Sequence, residues 1–438
     1  MTAVSMTLTV EKLSSHGEGI AFADGKAVFI PFTIPGEQVS CEITESHSSF
    51  ARARLLSIEK ASPNRTEPPC PLFGTCGGCA LQHIEYETQK RLKQDAAREA
   101  FRRTGGFDPG ELQIVSGEAY HYRNRTQVHA CADGGLGFTR AGSRETVRTR
   151  ACPTLVPALE RWMIGENRKA RPWHELSALI GERRRFTAFA QDRDVFIEGR
   201  DREAFAKVRG QQFRFPVAHF FQSNLSVLEM LIERHIEPLA GDRALDLYSG
   251  AGLFSMFLAR RFGAIACVEA DPFSMEAARA NLARTSVPLE FPLEFSCMPV
   301  ERWVTSRSAD AAFDCIVADP PRTGISPEVR AWLARGPAPR LVYVSCDHAS
   351  MARDLRDLRA SGWEVEQLVL YDFYPQTGRL EAVAELSYSS QKRFFAIIEE
   401  PESETADEDA DSHVERQADL PAGSIAGLTA SPIGASMQ

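Results

Sequence analysis

The sequence predicts an α/β protein in three parts: a small N-terminal β-barrel, a central mixed α+β domain, and a C-terminal doubly wound, Rossmann-like domain. Three observations lead there. From about residue 218, β-branched apolar runs alternate with helical patterns, as in βαβ units around a parallel sheet. Before residue 60, short alternating runs are punctuated by Gly17, Gly19, Gly25 and Gly36, which suits a barrel. Between the predicted strand at 244–247 and the helix that follows, Asp246-Leu-Tyr-Ser-Gly250-Ala-Gly252 forms a loop whose glycines let the backbone close on a ligand.

In chain order, the barrel occupies 1–60, with strands at 7–10, 27–30, 38–43 and 54–58. Barrels of this kind often hold oligonucleotides. A proline-rich stretch from Pro63 to Pro69 ends it. The central domain spans 61–215 and contains a cysteine cluster, a polar helix over 86–103 and a helix at 154–168. The third domain, 216–398, alternates helix 225–236, strand 244–247, helix 253–261, strand 264–269, a helix near 273–284, strand 313–319, helix 326–335 and strand 341–346. Residues 399–438 have little apolar periodicity and read as a disordered acidic tail.

A chain of 438 residues with 43% hydrophobic residues has material for two or three packed cores. Neither a bilayer-length apolar run nor a basic-then-apolar leader is present, so the expectation is a soluble cytoplasmic protein. The net charge of −9 argues against nucleic acid only until it is mapped. The last 40 residues hold ten acids against the single base Arg416, which leaves 1–398 neutral. Residues 120–215 carry 19 basic against 11 acidic residues, enough for phosphate contacts, although a solvated charged face would look the same.

Four motifs carry chemistry. The glycine loop is followed at the end of the next strand by Glu269, where an acid can hold ribose hydroxyls. A dinucleotide fingerprint needs a third glycine, and Phe254 and Ser255 stand there instead. The shorter loop suits S-adenosylmethionine, with an NAD enzyme as the alternative. Asp319-Pro320-Pro321-Arg322 ends an apolar strand, its prolines stiffening a loop that presents Asp319. Cys346 ends the run Leu341–Ser345, at the sheet edge where α/β proteins place their sites, although a strand cysteine is as often inert packing. Cys70, Cys76 and Cys79, the last two flanking a Gly-Gly pair, have metal-ligand spacing, with Cys152 as the best fourth. Zinc and iron–sulfur both accept four thiolates.

Taken together these residues resemble the RNA uridine-5-methyltransferase family. The ordered series covers the chain to about 398: a TRAM-like barrel, Cys70/Cys76-Gly-Gly-Cys79-x-x-Gln82-His83, Phe220-Phe-Gln222-Ser-Asn224, the glycine loop, Asp319-Pro-Pro-Arg322, Ser345-Cys346, and Pro375-Gln-Thr377 through Glu381. The resemblance implies a methyltransferase domain at 216–398, a [4Fe-4S] cluster on Cys70, Cys76, Cys79 and Cys152, and S-adenosylmethionine contacts from Gln222, Tyr248, Glu269 and Asp319. It implies Cys346 as the nucleophile that adds to C6 of a uracil and Glu381 as the base that takes the C5 proton. The expected partner is RNA, foremost 23S ribosomal RNA, since tRNA-directed members generally lack cluster and barrel; the expected state is monomeric. Asp347, Leu253 and Arg379 depart from the family pattern, where Asn, Asn and His are usual.

Overall fold

The computed structural model of the protein describes residues 5–131, 133–169, 184–284, 293–307 and 313–389. The predicted acidic tail and residues 170–183 of the basic segment lie outside the described residues.

Six strands build the barrel: β1 (Ser5–Thr9), β2 (Lys12–Leu13), β3 (Glu18–Ala23), β4 (Lys26–Pro31), β5 (Gln38–Ser46) and β6 (Phe50–Lys60). They lie in the order β1-β5-β6-β4-β3-β2. The two-residue period of a strand turns Val28 and Ile30, Val39 and Cys41, Ala51 and Ala53 onto one inner face. β2 and β3 are additions to the predicted strands. Gly19 reads in the sequence as a turn signal, yet it sits inside β3, where a Cβ would collide with the Thr33 and Val10 side chains. Glu37 and Arg65 pin the barrel to the next segment through two bonds of 2.7 Å.

Helix α1 (Tyr86–Arg103) has the predicted bounds. The Glu85 carboxylate caps it by accepting from the Thr88 amide at 3.0 Å. β7 (Gln113–Ser116) follows. The central sheet, ordered β10-β9-β8-β11-β12, comprises β8 (Arg125–Ala130), β9 (Leu136–Thr139), β10 (Thr146–Arg148), β11 (Arg185–Gln191) and β12 (Asp194–Ile197). Helix α2 (Pro157–Lys169) seats Ala158, Leu159 and Met163 against Val128, Phe186 and Ala188. The hairpin β13 (Glu203–Val208) and β14 (Gln211–Pro216) is tied to the last domain by Asn281, whose side chain bonds the Arg214 amide at 2.8 Å and its carbonyl at 3.0 Å.

After helix α3 (Leu225–His235) come β15 (Gly241–Leu247), α4 (Ser255–Leu258), β16 (Phe262–Glu269), α5 (Pro272–Leu282), β17 (Leu293–Cys297), α6 (Val300–Thr305), β18 (Cys315–Ala318), α7 (Pro327–Leu333), β19 (Arg340–Ser345), α8 (His348–Ala360), β20 (Trp363–Asp372) and β21 (Glu381–Tyr388). The sheet order is β17-β16-β15-β18-β19-β21-β20-β7. Its first five strands are parallel, as a doubly wound sheet requires. β21 runs antiparallel between β19 and β20. Helices on the two faces bury separate cores, one holding Phe213, Phe257 and Phe373, the other Trp303, Trp332 and Trp363.

Two sequence expectations change here. The helix at 253–261 shrinks to the four residues of α4, because Gly252 at φ +79° and the turn around it occupy the approach. The sheet also reaches back across the predicted boundary at 216: β7 pairs in parallel with β20 and forms its eighth strand. Among the described residues no helix is long and apolar enough to cross a membrane.

Candidate active site

The parallel strands β15, β16, β18 and β19 end at one edge of the sheet, and the residues that follow them meet there. Tyr248 follows β15, Glu269 ends β16, Asp319 follows β18, and Cys346 follows β19. Antiparallel β21 delivers the fifth group by its register. Ser345 pairs with Ala382, so the next step sets Cys346 beside Glu381. With Gln222, these residues line one cleft of about 810 Å³.

The glycine loop carries its geometry in the backbone. Tyr248 holds φ at +62° and Gly250 at +54°, a region costly for a side-chain-bearing residue. At Gly252 a Cβ would press on Ala278 Cα at 3.2 Å, so loop and helix α5 approach as only glycine permits. The Gly250 amide donates to Glu269 Oε2 at 3.0 Å and the Asp271 amide to Oε1 at 2.7 Å, which fixes the carboxylate at the cleft wall. Below the loop, Asp246 accepts from the Ser255 amide at 3.0 Å, while its other oxygen has no hydrogen-bond partner. The buried Gln222 Oε1 also has no partner and lines the cleft.

Three buried carboxyls here, Asp246, Asp319 and Glu381, are raised towards neutrality. Burial pushes Asp246 up to about 7, with Glu269 adding to it. Burial, then Asp246, pushes Asp319 up to about 7. Glu381 rises to about 8 through burial and the Asp319 charge, against the opposing pull of the Tyr374 hydroxyl. The Cys346 thiol is pushed to about 11 by burial, with Glu381, Asp319 and Asp347 adding and Arg322 opposing. Burial is the first cause at all four groups, and neighbouring carboxyls add to it.

The three family departures have separate structural accounts. Asp347 caps helix α8, its Oδ1 accepting from the Ser350 amide at 2.8 Å, a task Asp and Asn perform equally. Leu253 lines the cleft with an apolar side chain, so it offers a ligand no polar contact. Arg379 is an exposed cation at the cleft wall. Sequence reasoning missed Tyr374, which borders the cleft beside Glu381, and gave no role to Phe220, whose ring is 65% exposed at the cleft. Phe220 opens the Phe220–Asn224 motif without a task legible in it, and no local pattern marks Tyr374; both gain meaning only when β21 and the segment before α3 are brought together.

The cysteines of the second motif also meet. Cys70, Cys76, Cys79 and Cys152 line one small cavity with Leu72, Phe73, Phe138 and Leu155. Among the described residues, no three donors close on a point where a single metal ion could sit. Burial raises the Cys70 and Cys76 thiols and pushes Cys79 to about 12. The Gly78 amide donates to Cys76 Sγ at 3.4 Å, and Cys152 Sγ lies 3.2 Å from Thr154 Oγ1. Arg123 lines the same cavity, and its buried Nε has no hydrogen-bond partner.

The basic segment is less available than its composition suggests. Arg123 and Arg125 have buried Nε atoms, Arg148 bonds Asp133 at 3.0 Å and the Asn167 carbonyl at 2.8 Å, and Arg209 bonds Glu237 at 2.9 Å. These four arginines are therefore engaged within the structure.

The family described as tRNA (Uracil-5-)-methyltransferase matches residues 190–388, and the TRAM domain matches residues 5–56. A Treponema denticola protein named an uncharacterized RNA methyltransferase is 30% identical, over 82% of this chain and 93% of its own length. The 23S rRNA (uracil(1939)-C(5))-methyltransferase RlmD of Edwardsiella ictaluri is 30% identical over 88% of this chain and 96% of its own. In fold, the chain is similar to the Pyrococcus abyssi tRNA (uracil-54, C5)-methyltransferase solved with S-adenosyl-L-homocysteine. That likeness has a TM-score of 0.66 and 21% identity, over 87% of this chain and 99% of that one.

Proposed function

The chain belongs to the RNA uridine-5-methyltransferase family, and on that premise we propose that it is a cytoplasmic enzyme methylating C5 of a uridine in 23S ribosomal RNA with S-adenosylmethionine. The observation that carries the reading is the single cleft that joins Cys346 and Glu381 to Gln222, Tyr248, Glu269 and Asp319. The ribosomal target is supported by relatives that share nearly their whole length with this chain and bear that substrate in their names.

Gln222, Tyr248, Glu269 and Asp319 would hold the donor, Glu269 through the ribose hydroxyls and Asp319 through its charge. The unpartnered Gln222 oxygen at the cleft fits a polar ligand with donor groups. S-adenosylmethionine supplies, when bound, an electrophilic methyl group on a sulfonium. The Cys346 thiolate adds to C6 of the uracil and pushes the ring electrons towards C5, which makes that carbon nucleophilic. Once C5 is methylated, Glu381 takes its proton, and loss of Cys346 from C6 restores the aromatic ring. Cys346 and Glu381 are held protonated by burial among carboxyls, so positive charge brought into the cleft with the donor shifts both towards their reactive, ionised forms. A uracil paired in RNA hides C6, so the target must be unstacked. Phe220 offers an exposed ring for stacking at the entrance.

The four-cysteine cavity fits a [4Fe-4S] cluster. Its thiols share an apolar pocket, two of them accept or adjoin hydrogen-bond donors, and the buried Arg123 guanidinium needs the negative charge that thiolates supply. The cluster would join the 70–82 loop to the central domain.

Digestion of RNA from a strain lacking the protein tests the reading. Loss of one 5-methyluridine from 23S ribosomal RNA, restored by wild type and not by Cys346→Ala, is expected. Unchanged ribosomal RNA with loss from transfer RNA would redirect the substrate; unchanged levels in both would overturn the activity.

A further inference from the structure

The segment between β20 and β21 carries Tyr374 and leads into Glu381, yet its centre, Gln376, does not line the cleft. Gln376 is 1% exposed and holds φ at +68°, a left-handed conformation that a non-glycine residue keeps only where its surroundings impose it. The surroundings do so. The Gln376 carbonyl accepts from the amides of Ala80 at 2.9 Å and Leu81 at 3.0 Å, the two residues directly after Cys79. Gln376 meets Gln89 of α1 at two points: Gln89 Nε2 donates to the Gln376 side-chain Oε1 at 2.9 Å, and the Gln376 backbone amide donates to Gln89 Oε1 at 3.2 Å. Its Nε2 donates to the Ala119 carbonyl at 3.4 Å. On either side the same segment is gripped again. The Tyr122 hydroxyl donates to the Pro375 carbonyl at 2.9 Å, and a Cβ on Gly378 would collide with the barrel backbone at His16 and Gly17.

Barrel, cysteine loop, α1 and central domain thus converge on Pro375, Gln376 and Gly378, which do not line the cleft, between Tyr374 and Glu381, which do. We propose that Gln376 is a positioning residue for Glu381: it anchors the Tyr374–Glu381 segment to the cysteine loop, so that removal of the C5 proton depends on it while RNA and donor binding do not. The inference rests on the covalent reading above. Proton removal follows methyl transfer, so a displaced Glu381 leaves Cys346 bonded to C6 of a uracil already methylated at C5, with the C5 proton still in place.

The test compares Gln376→Ala with Glu381→Gln and Cys346→Ala, using the complete protein, a 23S ribosomal RNA fragment and S-adenosylmethionine. For Gln376→Ala, kcat should fall about a hundredfold, as a misplacement near 1 Å does, with KM for RNA and the melting temperature held. A covalent protein–RNA band should accumulate on denaturing gels, as with Glu381→Gln, and be absent with Cys346→Ala. Near-normal turnover, or slow turnover without the band while Glu381→Gln gives one, overturns the proposal. Should Gln376→Ala lose its melting transition, Gln89→Ala decides by the same criteria, because it leaves both backbone bonds to the Gln376 carbonyl in place. If Glu381→Gln itself traps nothing while the wild type methylates, the covalent reading fails and this proposal fails with it.

Discussion

Glu381 and Cys346 face a protonation problem that their own positions create. Both must be ionised to react, and both are raised above their ordinary values, to about 8 and about 11, first by burial and then by neighbouring carboxyls. For an acid raised in the free enzyme, the active form grows as pH rises through the raised value. The expected result is a kcat/KM for RNA that climbs across pH 6 to 9, with a smaller change in kcat once the donor's positive charge is in place. A flat kcat/KM profile over that range would remove the electrostatic argument. At this scale the sequence was informative wherever chemistry sits in a short motif. Cys346, Asp319 and the glycine loop could be found that way. Tyr374 and Gln376 could not, since their importance comes from what lies against them. The charge count at 120–215 is silent on such contacts, because it cannot tell the buried Arg123 from a free cation.

Helix α1 shows how an element can be legible in outline and opaque in purpose. Its bounds follow from the Glu85 cap and a run of good helix formers. Its buried stripe is Thr88, Gln89, Lys93, Ala97 and Phe101, more polar than a core-facing stripe should be. The reason is the end of β20. Lys93 Nζ bonds Asp372 at 2.8 Å and the Tyr374 carbonyl at 3.3 Å, and the Tyr86 hydroxyl bonds the same Asp372 at 3.2 Å. Both charges of the pair are almost wholly buried. Lys93→Met leaves Asp372 as an unpaired buried charge, so chemical denaturation should show a loss of about 3–5 kcal/mol. Lys93→Met with Asp372→Leu should recover much of it. Equal losses in the single and double variants would show that the pair is not what the helix contributes. No pattern within residues 86–103 could disclose a partner at residue 372.

Across the whole molecule, the strands gather into separate sheets, and one strand crosses the boundary expected at 216. The strand alternation before residue 60 and after 218 specified the barrel and the parallel sheet, because each obeys its own period. The sequence could not show that β7 would leave the middle of the chain to become the eighth strand of the last sheet. The cysteine cavity lies at the same junction, lined from both the 70–82 loop and the 123–155 region. Anaerobic purification should give brown protein with about four irons and four acid-labile sulfides per chain. Stripping the iron should lower the melting temperature of the entire protein, since metal-binding energy at such a site is folding energy. A colourless preparation with stoichiometric zinc would overturn the cluster assignment.

The pairing of β7 with β20 has a consequence for how the protein is made. Gln113 emerges from the ribosome early, and its partner Val369 emerges near the end. At about 5–20 residues per second, the β7 edge and the cysteine loop wait on the order of ten to fifty seconds for the strand and the segment that cover them. Closure of the sheet and engagement of the Ala80 and Leu81 amides by Gln376 are therefore late events in synthesis. The cysteines are complete at residue 152, before the Gln376 carbonyl exists to bind the Ala80 and Leu81 amides, so the nascent chain holds all four thiols while the loop beside Cys79 is still unpinned.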